Sequence, residues 1–157
     1  MALLERIVAE AIPNQLGLQA WQAFLRAHAT LMRQLATDLV EEVGLTLGDF
    51  DVLAQLAGAG GELRMSDLAA QAYSSRSGMT RRVDRLVAEG LVSRATTDAD
   101  GRGVVVTLTD AGLARLKQAV PAHARGVAKL FVSKLTDEEL SGLTTALRKV
   151  AVDCTFG

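Results

Sequence analysis

Apolar residues recur at every third or fourth position through most of the chain, which predicts amphipathic helices. The segments with this pattern are residues 2–11, 19–43, 47–57, 110–135 and 137–150. Thr46 and Asp49 have the spacing of a capping box at the start of the third segment. Thr136 and Glu139 repeat that spacing before the last segment. Pro121 is expected to kink the fourth helix or to break one of its backbone hydrogen bonds, because proline lacks a backbone N–H donor.

The pattern changes between residues 63 and 109, where two short helices and β-prone runs are predicted. The predicted elements are a short strand (residues 63–65), a helix (67–72), a turn (73–74), a second helix (75–90) and two strands (91–96 and 104–108). Ser66 is placed to cap the first of these helices. The expected fold class is mainly α with a small β-wing (α+β), a helix-turn-helix followed by a hairpin.

The second short helix has two chemically different faces. Its apolar side carries Met79, Val83, Leu86 and Val87. Its opposite side carries Ser77, Arg81, Asp84 and Arg85. Arginine presents a planar fork of donors that fits phosphates and guanine edges, and the free N–H groups at a helix start suit a phosphate. We interpret this helix as a DNA recognition helix.

The hairpin adds further groups that suit DNA. Its Gly- and Asp-rich tip contains Asp100, Gly101 and Arg102, and Arg94 lies at its base. An arginine at the end of such a wing can enter a minor groove, where the potential is negative. We expect Asp100 to orient Arg102, and Arg94 to reach a phosphate.

Four segments carry a family resemblance: LTLGDFDVLAQL, LAAQAYSSRSGMTRRVDRLVAEGLV, DADGR and VTLTDAG. They resemble the MarR family of winged helix-turn-helix transcriptional regulators, over nearly all of the chain. The resemblance implies a homodimer that binds pseudo-palindromic operator DNA and, as in many members, releases it when a small aromatic ligand binds. Two-fold symmetry would set the two recognition helices about one DNA turn, ~34 Å, apart. The chain departs from the family at Gly101, in a position that Arg often occupies.

The expected domain organisation follows from the same resemblance. It is a single MarR-type domain over residues 1–157, with a DNA-binding lobe at residues 46–109. Residues 1–45 and 110–157 would form a helical dimerisation region, because long amphipathic helices outside the lobe need a partner subunit to cover them.

The charge balance is consistent with a localised basic patch. The 157 residues have a formal net charge of −1. Residues 74–94 nevertheless hold five arginines against one Asp and one Glu. Such a patch on a nearly neutral protein predicts DNA binding with weak non-specific affinity.

Other function classes lack the residues that they need. No nucleophile–base pair, paired carboxylates or Cys/His cluster suggests an enzyme, a cofactor or a metal site, so none is predicted. Cys154 is the only cysteine, so no intrachain disulfide is expected. A charged N-terminus and the absence of a run of ~18 apolar residues argue against a signal peptide or a membrane span. A cytoplasmic location is expected.

The residues predicted to contact DNA lie on the recognition helix and the wing. They are Ser75, Arg76, Ser77, Thr80, Arg81, Arg82, Arg85, Arg94, Asp100 and Arg102. One alternative is that the arginines form a solvated face. Another is a winged-helix module that binds a protein and no DNA, which would fit the near-zero net charge.

An effector site is implied by resemblance. A MarR subgroup that responds to urate and related aromatics uses a Trp on the first long helix and an Asp on the next. Trp21 and Asp51 look like those positions, and the run PAHARGVAKLFVSKL and the N-terminal extension are also similar to that subgroup. The resemblance implies a small aromatic or anionic effector that touches both side chains. The alternative is ordinary packing of Trp21 and a solvent-facing Asp51.

Overall fold

The computed structural model describes residue 11 and residues 14–71, 76–96 and 103–154. The elements within these ranges are α1 (Gln15–Val43), α2 (Leu47–Gly58), β1 (Glu62–Arg64), α3 (Met65–Gln71), α4 (Arg76–Ala88), β2 (Val92–Thr96), β3 (Val104–Leu108), α5 (Asp110–Leu130), a 3-10 helix (Val132–Lys134) and α6 (Asp137–Cys154). The predicted fold class, mainly helical with a small β-wing, is confirmed. The predicted helix over residues 2–11, apart from residue 11, and the predicted turn at residues 73–74 lie outside the described residues.

The three strands form one antiparallel sheet in the order β1-β3-β2. Val106 of β3 is paired with Leu63 on one side and with Arg94 on the other. Val106 is fully buried, so the centre of the sheet joins the core while β2 leaves most of its residues exposed. The predicted hairpin is confirmed, and β1 lies one residue earlier than predicted.

The core lies where α2, α3, α4 and the sheet meet. Met79, Val83 and Leu86 of α4 are at most 1% exposed, as the apolar periodicity predicted. Val87 was assigned to the same face, and this was wrong because its side chain is 37% exposed. At ~100° per residue, Val87 lies about 80° around the helix from Met79, at the edge of the buried stripe.

Local signals located most helix starts correctly. Thr46 accepts the backbone N–H of Asp49 at 3.1 Å, as expected of an N-cap. The capping box before α6 is also confirmed, since Thr136 N–H donates to Glu139 at 2.8 Å and Glu139 N–H donates to Thr136 at 3.3 Å. The cap assigned to Ser66 was wrong, because β1 runs directly into α3 at Met65 and places Ser66 within the first turn.

Two long helices differ from their predicted bounds. α1 begins at Gln15, four residues early, because Asn14 accepts the N–H of Gly17 and caps it. α5 ends at Leu130 and gives way to the 3-10 helix, so the predicted helix to residue 135 was too long. Pro121 lies within α5, and the helix continues on both sides of it.

The outer helices leave apolar side chains uncovered within one chain. α1 and α5 pack against each other closely enough that a Cβ at Gly126 would lie 2.7 Å from Leu35. Large apolar side chains that remain exposed on the outer helices are Leu16, Trp21, Phe24, Leu25, Met32, Val40, Leu113, Val120, Leu147 and Val150. None of the helices in the described ranges is long and apolar enough to cross a membrane.

Candidate nucleic-acid interface

Helix α4, the predicted recognition helix, is buried along its apolar face and exposed along its polar face. Because Met79, Val83 and Leu86 are buried in the core, the positions between them point away from it. Thr80, Arg81, Asp84 and Arg85 are exposed. The face predicted to meet a duplex is therefore accessible.

Two arginines of α4 bind an acidic residue of the same lobe. Asp49 is 4% exposed and lies in the first turn of α2. Its Oδ1 accepts Nη1 of Arg82 at 3.3 Å and also accepts Nη2 of Arg85. The side chain of Arg82 is 25% exposed and that of Arg85 is 48% exposed. Arg85 consequently keeps donors at the surface, whereas Arg82 is largely enclosed.

The wing arginine is also paired. Nη1 of Arg94, on β2, donates to Oδ1 of Asp84, on α4. Both side chains are about half exposed, so this pair joins the wing base to the recognition helix at the surface. An exposed ion pair adds little stability, and Arg94 remains able to turn toward a phosphate.

Arg81 differs from these arginines. It is exposed, and no acidic side chain within the described residues lies within ion-pair distance of it. Its guanidinium group is therefore the most readily available to an external anion among the arginines of α4 whose side chains are described.

The remaining predicted contacts are only partly described. Arg76 and Ser77 lie in the first turn of α4. Their side chains, like the whole of Ser75, Asp100 and Arg102, lie outside the described part of the structure. The roles assigned to them stay predictions.

An open groove connects the recognition helix to the wing. It is lined by Met65, Thr80, Arg94, Ala95, Thr96 and Val104. Its walls come from the start of α3, from α4 and from the two hairpin strands. A duplex backbone lying across α4 would meet this groove beside Arg94.

The contacts of Asp49 differ from those expected from the sequence. Asp49 was predicted to complete a capping box with Thr46, but its carboxylate accepts the Thr46 hydroxyl instead of the Thr46 backbone N–H. Its arginine partners, 33 and 36 positions further along the chain, were not predicted. A buried carboxylate favours a cationic partner, but the burial of Asp49 is visible only in the fold.

The two residues assigned to an effector do not lie together in one chain. Trp21 is 52% exposed and stacks on Phe24, with ring centroids 6.1 Å apart. Asp51 is half-buried and accepts Gln55 Nε2 at 2.9 Å. At a rise of ~1.5 Å per residue, Trp21 lies ~33 Å from the end of α1 at Val43. Asp51 lies near the start of α2, which begins at Leu47. One ligand can touch both only if a second copy of the chain contributes one of them.

Comparison with known proteins agrees with the fold described above. A sequence profile of the MarR family matches residues 43–103. The structure is similar to that of AbsC, a MarR family transcriptional regulator from Streptomyces coelicolor, with TM-score 0.82, 30% identity and coverage of 92% of this chain and 97% of AbsC.

Two further solved structures are similar. Sco3205, a MarR family regulator from the same organism in complex with DNA, has TM-score 0.80 and 29% identity, with 88% of this chain and 87% of that chain covered. BpsR from Bordetella bronchiseptica, whose DNA binding is regulated by 6-hydroxynicotinic acid, has TM-score 0.76 and 25% identity, with 85% and 98% covered.

Proposed function

We propose that this chain, which belongs to the MarR family of DNA-binding transcriptional regulators, acts as a ligand-responsive repressor on pseudo-palindromic operator DNA as a homodimer. The observation that carries the proposal is the arrangement of α4. Its apolar face is buried in the lobe, its polar face is exposed, and the wing strands lie beside it. This is the arrangement by which a winged helix enters a major groove.

The homodimer is supported by the apolar face of the outer helices. Trp21, Phe24 and Val150 are each more than 40% exposed in one chain. Such a face is stabilised when a second copy covers it. In this proposal residues 46–109 form the DNA-binding lobe, and residues 1–45 and 110–157 supply the dimer interface. The protein would act in the cytoplasm and without catalysis.

DNA binding is tested by fluorescence anisotropy with duplexes from the region upstream of the chain's own gene. We expect saturable binding that weakens as salt rises, because contacts to phosphates release counterions. Arg81→Ala should weaken binding by ~1–3 kcal/mol if Arg81 contacts a base, or reduce the salt slope by ~1 if it contacts a phosphate. No binding to any upstream duplex would favour the alternative, a winged-helix module that binds a protein.

The effector would be a small aromatic or anionic molecule that touches Trp21 of one subunit and Asp51 of the other. The support is the exposure of Trp21 and the similarity to BpsR. Trp21 is the only tryptophan, so any change in tryptophan emission reports on that position. Titration with urate, xanthine and salicylate should quench emission in the wild type and less in Asp51→Asn. Absence of quenching by all three would contradict this assignment.

A further inference from the structure

The N-terminal turn of α2 contains the only buried charged side chain recorded within the described residues, that of Asp49. Both of its carboxylate oxygens are engaged. Oδ2 accepts the Thr46 hydroxyl at 2.6 Å, while Oδ1 accepts the two guanidinium groups of Arg82 and Arg85. The carboxylate therefore has a fixed orientation, and it connects α2 to two successive turns of α4.

Gly48 makes room for this connection. A Cβ at Gly48 would overlap the guanidinium group of Arg82, with even Nη2 only 2.6 Å away. Glycine is a poor helix former, so its place within the first turn of α2 has a steric explanation. The backbone of α2 must approach Arg82 closely for Arg82 to reach Asp49.

We propose that Asp49 is a positioning residue for DNA recognition, acting through Arg82 and Arg85. Arg85 is held at Nη2 by Asp49, and its Nε lies 3.9 Å from Glu89. Its remaining donors point outward from a fixed position, and Arg82 is kept from the phosphates as an internal connector. Asp49 thereby sets the orientation of α4. It also lowers the affinity of α4 for DNA of any sequence. This inference rests on the proposed function, since it needs a DNA-binding protein.

Asp49→Asn is the direct test, because it keeps the shape of the side chain and removes the charge. Without the carboxylate, Arg82 and Arg85 are free to bind phosphates. We expect affinity for a scrambled duplex to rise and the salt slope to steepen by ~1–2. We expect affinity for the operator to rise less or to fall, so that the ratio of operator to scrambled affinity drops by about tenfold. Full-length protein is measured by anisotropy between about 50 and about 200 mM salt.

Two further variants separate charge from position. Glu138→Gln makes the same change in net charge on α6, far along the chain from α4, and should leave the affinity ratio unchanged. Gly48→Ala keeps every charge but displaces Arg82, so it should lower the ratio in the same direction as Asp49→Asn. It also keeps the proposal testable if Asp49→Asn does not fold, which circular dichroism would reveal.

The outcomes distinguish this inference from the proposed function. If the wild type binds no operator, the proposed function fails first. If the wild type binds specifically but Asp49→Asn or Gly48→Ala leaves the ratio and the salt slope unchanged, Asp49 does not position the recognition helix. An equal loss of affinity for both duplexes would also overturn the inference, because it would show a role in folding alone.

Discussion

Replacing Leu86 by Ala tests whether α4 is attached to the lobe as described. The Leu86 side chain is fully buried within the core cluster that also contains Met79, Val83 and Leu53. Removal of such a side chain costs ~2–5 kcal/mol, because burial is lost and a cavity remains. For a chain of this size each kcal/mol lowers the thermal midpoint by ~2–4 °C. The expected decrease is therefore ~4–20 °C in the circular dichroism melting curve.

Val87→Ala is the matched control. Val87 is the next residue of the same helix, but its side chain is 37% exposed. Its truncation should change stability by no more than ~0.5 kcal/mol. Both variants are compared with the wild type at one protein concentration, because association makes the midpoint depend on concentration. Equal losses in the two variants, or a normal midpoint for Leu86→Ala, would refute the assigned orientation of α4.

Three further predictions concern a close backbone approach, a partly buried histidine and the wing tip. In Gly112→Ala the new Cβ would collide with the Leu91 carbonyl oxygen, so the free energy of unfolding measured with denaturant should fall by ~1–3 kcal/mol. The control Gly142→Ala, with open space around it, should leave this free energy unchanged or raise it by up to ~1 kcal/mol. A similar response of both variants would contradict the close packing at Gly112. Burial lowers the pKa of His123 from 6.5, so the unfolded chain binds the proton more readily than the folded chain. The thermal midpoint should therefore fall as the pH drops below 6.5 and through the folded pKa. His123→Gln should weaken this pH dependence, and an unchanged dependence would exclude His123 as its source. Arg102→Ala should weaken operator binding by ~1–3 kcal/mol with a normal melting curve, and unchanged affinity would remove the wing tip from recognition.

Elements whose signals are local could be predicted from the sequence. The capping box of Thr136 and Glu139 needs only partners three positions apart, and it lies where the spacing indicated. The apolar period also identified the inner face of α4. It failed at Val87 because a helical wheel does not show where the opposing core ends. The cap at Ser66 failed because a three-residue strand leaves no separate cap before α3.

Partners distant in the sequence could not be predicted in this way. The pairs of Asp49 with Arg82 and Arg85 span 33 and 36 positions. No periodicity encodes such a contact, because it depends on how α2 and α4 cross. Similarly, the resemblance grouped Trp21 with Asp51, but the length of α1 separates them within one chain. The length of α1 could be predicted from the sequence. The way in which two copies of the chain would bring Trp21 and Asp51 together could not.

The ion pairs within the chain reconcile its net charge of −1 with the predicted use of arginines for DNA recognition. In the sequence, the arginines of residues 74–94 suggest a basic patch. In the fold, Arg82 and Arg85 face Asp49, Arg85 also lies 3.9 Å from Glu89, and Arg94 faces Asp84, so much of that charge is balanced within the chain. Each phosphate contact contributes ~0.9 to the salt slope. Arginines that already face a carboxylate should add less to non-specific binding than unpaired ones. Competition from the many non-specific sites of a genome would then be weak, and selectivity would depend on exposed groups such as Arg81, if they contact DNA as predicted.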